Sequence, residues 1–516
     1  MNSVNPNVAA LPVDNRLLLT VAAMLGNIMQ ILDSTIANVA LPHMQSGLGA
    51  TLDTVTWVLT SYILATAIAI PITGWIADRI GSRNLFLLSI AGFTASSLLC
   101  ATASSLEMLV FYRVIQGLSG AFIMPLSQTV MLDINPPKDH PKALAIWGMG
   151  VMIAPITGPI IGGYLTDNFS WEWIFLINVP IGIIAFTMLW ALLPSKPITR
   201  RKFDLFGFSL FAIFIASFQL MLDRGNGEDW FESWEIIIEF GLAAAALWMF
   251  TIHMTTAKNT FLSRELFKDR NLVTAMILMI VAGVAMFSVM ALLPPMLQNI
   301  YHYSPTDAGI LLAPRGVGVF LGMGIASRLA TIVDARWVVA GGMALASYSA
   351  WMMTGWSLDM DHWPIITSGV VQGLGMGALF VTMNILGFST LPASLRTDAA
   401  SLLNLSRTIG ASIGIAVFVG LLSRNWQISH ADVAGNVTED RMAVLSPAII
   451  SRFGQYGDQA MAVIDGEVNR QALMIAYIGD FWLIAVVTGI CVPLVFLMKK
   501  PAQTKVDAME SAGAAH

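Results

Sequence analysis

Charge is the scarcest commodity in this chain: of 516 residues, 11% are Asp, Glu, Lys or Arg, while 56% are hydrophobic. Soluble globular chains carry about 25% charged residues. So little charge cannot coat a surface of this size in water, which excludes a water-soluble globular domain. A mean hydropathy of +0.71 points to lipid as the solvent. Cysteine is nearly absent too. Cys100 and Cys491 each sit inside an apolar run, which speaks against a disulfide framework or a metal cluster. No Gly-Lys dipeptide occurs, so the usual phosphate-cradling loop is missing and ATP is not the expected power source. A net charge of -5 argues against nucleic acid, which needs a basic face. The opening MNSVNPNVAALPVDNR is polar and unlike a cleavable signal, so the first apolar run is expected to remain as a span.

What is abundant is long apolar runs. With about 20 residues per spanning helix, breaks at charged, Pro and Gly positions predict fourteen spans: 17–41, 55–75, 85–104, 107–132, 143–165, 174–193, 205–223, 235–253, 271–293, 306–327, 337–356, 364–391, 403–424 and 477–498. Lys and Arg then sort by side. Nineteen of the 27 fall on the side of the termini, five on the other, and Arg113, Arg315 and Arg407 lie within spans. The positive-inside rule places both termini in the cytoplasm, which an even number of spans requires. Arg315 and Arg407 are expected to snorkel or pair near helix ends, and Glu107 and Asp480 to be solvated at outer ends of spans. The one sizeable outer connection, 425–476, mixes polar and apolar stretches and is expected to form a short amphipathic or helical subdomain.

RVIQGLSG (113–120) and GVVQGLGM (369–376) match at an offset of 256, which also lays Gly158 on Gly414. The expected architecture is an all-α membrane protein: an N-terminal six-span bundle (1–193), a basic linker with two inserted spans (194–270), a C-terminal six-span bundle (271–498) and a tail (499–516). Parallel halves of this kind belong to secondary transporters.

Inside the first bundle the rare polar groups become informative. Asp33 lies deep in the first span, where an ionisable group is a functional candidate by default. It sits about 12 Å below the outer end of its span and Arg113 about 10 Å below the outer end of the fourth, so the two can pair. Burial favours a protonated carboxyl and a near guanidinium an ionised one; proton affinity at Asp33 would therefore follow the position of Arg113, as a proton-driven carrier requires. GWIADRIGSR offers Gly74, Asp78, Arg79, Gly81 and Arg83 at the cytoplasmic turn between spans 2 and 3. In span 5, Gly150, Ala154, Gly158 and Gly162 recur every fourth residue beside Pro155 and Pro159, with Gly163 following. That pattern predicts close packing in a helix bent by its prolines, suited to a gate at the seam between halves. Asn27, Gln30, Asn38, Gln116, Gln128, Gln372 and Asn384 are candidates to line a substrate cavity. The seven histidines are scattered, unlike the clustered residues of a membrane enzyme.

These segments together resemble the major facilitator superfamily, and within it the fourteen-span drug/proton antiporters of the EmrB-like multidrug efflux subfamily. LDSTIANVALP, GWIADRIGSR, FYRVIQGLSGA and APITGPIIGG resemble that family's motifs of span 1, loop 2-3, span 4 and span 5; WEWIFLINVPIG and MLDRGNGEDWF are similar to the subfamily. The resemblance implies a multi-pass exporter of the bacterial inner membrane that alternates access and exchanges protons for hydrophobic or amphipathic toxic compounds. It implies the proton gradient as the energy source and no cofactor. It further implies proton coupling at Asp33 and Arg113, a cytoplasmic latch at Asp78, Arg79 and Arg83, and a periplasmic adaptor and outer-membrane channel as partners. GIASRLATIVDAR (324–336) is a degenerate second copy of the loop motif and implies no latch. An exporter dedicated to one metabolite, such as a fatty acid or siderophore, would use the same motifs.

Overall fold

The structure, a computed structural model, describes residues 9–196, 198, 202–435 and 447–499, and every regular element among them is helical. The first bundle comprises α1 (Arg16–Leu48), α2 (Trp57–Ile80), α3 (Ser82–Ala101), α4 (Leu106–Ile134), α5 (His140–Asn168) and α6 (Trp173–Leu192). The inserted pair is α7 (Leu205–Arg224) and α8 (Trp234–Thr256). The second bundle comprises α9 (Arg270–Asn299), α10 (Thr306–Ile332), α11 (Ala335–Met353), α12 (Trp363–Phe388), α13 (Arg396–Ala434) and α14 (Pro447–Ile490). Thirteen of these fourteen segments are long and apolar enough to cross a membrane on composition alone; α11 is not. Its 19 residues are diluted by Arg336, Gly341, Gly342 and three serine or tyrosine positions (Ser347, Tyr348, Ser349), and it makes up the difference by packing against α12 and α14.

The two bundles repeat one another. In the first, α1 packs on α5, α2 on α4, and α3 on α4 and α6; in the second, α9 packs on α13, α10 on α12, and α11 on α12 and α14. The repeated glycines explain the match. A Cβ on Gly117 would lie 2.5 Å from the Tyr62 carbonyl oxygen of α2, and one on Gly373 2.1 Å from the Arg315 carbonyl oxygen of α10. Gly158 meets Thr35 of α1 as Gly414 meets Ser288 and Val284 of α9.

The first and last described segments meet one face: the Leu11 amide donates to the Asp133 carbonyl and the Lys499 amide to Asn271 Oδ1. Charge bias makes this the cytoplasmic face. Gly81, at φ 91°, supplies the backbone turn from α2 into α3 there.

α7 of the inserted pair lies against both α2 and α13. MLDRGNGEDWF folds at its outer end into a knot in which Arg224 pairs with Glu228 and Glu235, and Asn226 Nδ2 donates to the Ala416 carbonyl of α13 at 2.9 Å.

The outer connection is not a separate subdomain in its described part. α13 runs for 39 residues and α14 for 44. At 1.5 Å per residue that is about 58 and 66 Å, against a hydrocarbon thickness of about 30 Å. Residues 425–434 continue α13 and 447–476 begin α14, so the two spans project together beyond the membrane, tied by His430 Nε2 to Asp465 Oδ1 at 3.4 Å. Residues 436–446 of that connection and 500–516 of the tail lie outside the described residues. The early start of α14 also overturns the solvated expectation for Asp480. It is not at a helix end but well inside one, 1% exposed, with both carboxylate oxygens unpartnered; Glu107 is exposed.

Candidate functional site

Asp33 and Arg113 meet. Arg113 Nη1 stands 2.5 Å from Asp33 Oδ2, and both side chains are 0% exposed. The helices around them complete the cage. Arg113 Nη1 also donates to Gln116 Oε1 (2.7 Å) and Nε to the Val58 carbonyl of α2 (3.0 Å). Asp33 Oδ1 accepts from Gln116 Nε2 (2.9 Å) and from Asn178 Nδ2 of α6 (2.7 Å). Ser97 of α3 holds Asn178 at 3.0 Å, and the guanidinium carbon lies 4.2 Å from the centre of the Tyr62 ring. One aspartate thus gathers five of the six helices of its bundle. A carboxylate is acceptor-only when ionised, and all three donors on Asp33 are satisfied in that state. A proton taken up by the carboxyl would cancel the charge that holds Arg113 Nη1 at Oδ2.

A second cluster closes the seam between bundles at the cytoplasmic face. Asp133, at the end of α4, is paired with Lys196 of the linker and, at 3.6 Å, with Arg396 at the start of α13. Gly74 of α2 lies against the first turn of α13: a Cβ there would be 1.6 Å from Asp398 Oδ1 and 3.3 Å from the Asp398 nitrogen. Arg79 stacks over Trp75 at 5.4 Å, and Arg83 Nη2 donates to the Trp190 carbonyl of α6 at 2.6 Å. Gly74→Val is expected to prise α2 from α13 and open the seam. A cysteine at Met323, 1% exposed against Gly148, should then react with a maleimide supplied from the cytoplasmic face; labelling as slow as in the parent would show that Gly74 does not hold the seam.

Deeper in the seam, Gln128 Nε2 donates to Asn384 Oδ1 (2.6 Å) and Asn404 Nδ2 to Gln128 Oε1 (3.0 Å). Beside them is a cavity of about 30 Å³ bounded by α4, α5, α9, α10, α12 and α13. It has room for a water or two and is shut to larger molecules in this conformation.

The remaining candidates disperse. Asn27 donates to Ser127, which also accepts from Trp147 Nε1. Gln30 and Gln372 are buried with unpartnered carbonyl oxygens, Gln116 braces the ion pair, and Asn38 is exposed. Of the seven, Asn384 alone lines the cavity. The span 5 stripe does not face the seam. Gly150, Gly158 and Gly162 meet Met24, Thr35 and Ile36 of α1, Ala154 is buried, and Gly163 has open space. The seam face of α5 carries Trp147, Gly148, Val151 and Met152 instead. The helix is unbroken through Pro155; the side chain of Pro159 lies outside the described residues. Sequence reasoning missed Asn178, Ser97, Asp133, Asp398 and Asn404. Asn178 was findable as a lone amide in an otherwise apolar span; the others carry no local signal.

Comparison with known proteins adds four likenesses. A sequence profile of the Major Facilitator Superfamily matches residues 23–415. The chain is 36% identical over 490 residues to the multidrug export protein EmrB of Escherichia coli (strain K12), covering 94% of this chain and 95% of that one. It is 33% identical over 486 residues to the fatty acid resistance protein FarB of Neisseria gonorrhoeae, covering 93% and 96%. The solved structure of the proton:xylose symporter XylE superposes with a TM-score of 0.58 at 12% identity, over 93% of this chain and 94% of that one, a likeness of fold alone.

Proposed function

The chain belongs to the major facilitator superfamily, and from that membership we propose that it expels hydrophobic and amphipathic toxic compounds in exchange for protons. It is a multi-pass membrane transporter of the multidrug efflux kind, not an enzyme. Its relationship to EmrB over nearly the whole of both chains supports export. The observation that carries proton exchange is the fully buried Asp33–Arg113 pair, which a proton can break. In the proposed cycle, a proton reaching Asp33 releases Arg113, α1 and α4 shift against one another, and the cytoplasmic latch around Asp133 and Gly74 opens to admit substrate. Loss of the proton to the cytoplasm restores the pair. No cofactor enters the cycle. The inner membrane is the proposed site, and the projecting ends of α13 and α14 the proposed docking point for a periplasmic adaptor leading to an outer-membrane channel.

Relationship to FarB favours one second reading, an exporter dedicated to a single acid. A panel of structurally unrelated inhibitors, added to everted vesicles carrying a preformed proton gradient, separates the two. Proton release is expected with several unrelated compounds. Release with one alone supports the dedicated reading; release with none defeats proton-coupled export.

A further inference from the structure

The central cavity is built from one set of positions used twice. At the 256-residue offset of the repeat, Met124 of α4 corresponds to Phe380 of α12, Trp147 of α5 to Leu403 of α13, and Val151 to Arg407; all six line it. The two walls are equivalent in place and different in chemistry. The first bundle contributes an aromatic, a thioether and a branched aliphatic, and the second puts the cavity's single charged group opposite them.

Among the described residues that charge has no counter-ion. Arg407 makes no ion pair with any described carboxylate, and its recorded hydrogen bond is from Nη2 to the Met124 thioether at 3.0 Å, a weak acceptor. Eleven residues into α13, it lies about 16 Å from the cytoplasmic end of the helix, near mid-membrane, where an unpaired guanidinium is costly to keep. Arg113 shows how the same chain handles a buried arginine it does not expose to ligand: it supplies Asp33, Gln116 and a backbone carbonyl. Arg407 has a thioether where Arg113 has a carboxylate.

We propose that Arg407 is the headgroup anchor of the transport site and that the substrates it selects are amphipathic organic anions. A carboxylate, sulfonate or phenolate takes the guanidinium in a bidentate pair, while the apolar body lies on the wall of Met124, Trp147 and Val151. Because the seam is shut here, the anion reaches Arg407 only after the bundles part, and it replaces the Met124 contact across the seam. The assignment rests on the export reading and narrows its substrate class.

The test is binding to the purified full-length chain in nanodiscs, by calorimetry, of three probes that share a ring system: naphthalenesulfonate, naphthylmethylammonium and naphthylmethanol. Arg407→Ala is expected to weaken the sulfonate about tenfold or more, the scale of one charge-assisted pair, and to leave the other two within about twofold. Arg407→Lys should keep most of the sulfonate affinity, because it keeps the charge. Moving the arginine across the axis, with Val151→Arg and Arg407→Val together, should restore sulfonate binding from the opposite wall. Unchanged sulfonate affinity in Arg407→Ala, or equal weakening of all three probes, overturns the proposal. A wild-type protein that binds the sulfonate but moves no compound in proteoliposomes would refute export and leave the anchor standing.

Discussion

Asp33→Asn is expected to abolish drug-driven proton release and to destabilise the protein at the same time. The amide keeps the shape but removes the charge beside a guanidinium that is 0% exposed. Breaking a buried pair from one side strands its partner, at a cost of about 3–5 kcal/mol. The two losses separate in a second variant. Asp33→Asn combined with Arg113→Gln leaves two neutral amides within reach of Gln116 and Asn178, and should recover most of the thermal stability in detergent without recovering transport. Proton release restored in the double variant would show that the pair is a structural brace and that coupling lies elsewhere.

Gly373→Ala should be the most damaging single methyl in the second bundle. Added there, a Cβ lies 2.1 Å from the Arg315 carbonyl oxygen and 2.7 Å from the Val319 nitrogen, both backbone atoms that cannot rotate away. Three more glycines make the same approach between α10 and α12: Gly318, Gly322 and Gly377 each place a hypothetical Cβ 2.3 Å from a carbonyl oxygen of the facing helix. Without a hydrophobic drive between helices in lipid, close backbone packing of this sort is the main attraction. Overpacking costs about 1–3 kcal/mol where side chains can yield, and here only the helices can. Gly163→Ala is the control, since nothing lies within 4 Å of that position. A large drop in unfolding temperature is expected for Gly373→Ala and almost none for Gly163→Ala; equal melting of both would mean that α10 and α12 part at little cost.

The spans were legible because lipid demands continuous apolar runs, and Asp33 and Arg113 were legible because helix rise converts sequence position into depth. What depth cannot give is direction around the helix. The stripe of Gly150, Gly158 and Gly162 was visible, yet only packing shows that it faces α1 and that the seam face begins at Trp147 and Gly148. Asn178 completes the ion-pair cage as the lone amide of an otherwise apolar span, a signal that says nothing of which helix it will face. For the connection after Arg424 helix was legible but its continuity with α13 and α14 was not: outside lipid a helix needs no apolar run, so the polar residues there set no boundary between a span and a helical subdomain. Asp480 was misread with them, its burial depending on neighbours from other helices.

The hydrogen bond from Gln128 to Asn384 joins residues 256 apart, the repeat offset itself, so it is a contact of one position with its own duplicate. Such a contact occurs only on a twofold axis, as at the centre of an isologous dimer. Had the six-helix unit once existed as a separate parallel homodimer, this site would have been a residue touching its own copy, and every mutation there would have struck both sides of the interface together. Joining the copies in one chain lifts that constraint. The two sites are now Gln and Asn, and Asn404 enters the bond from one side only. The same freedom lets one wall of the cavity hold Val151 where the other holds Arg407, an asymmetry no homodimer can encode.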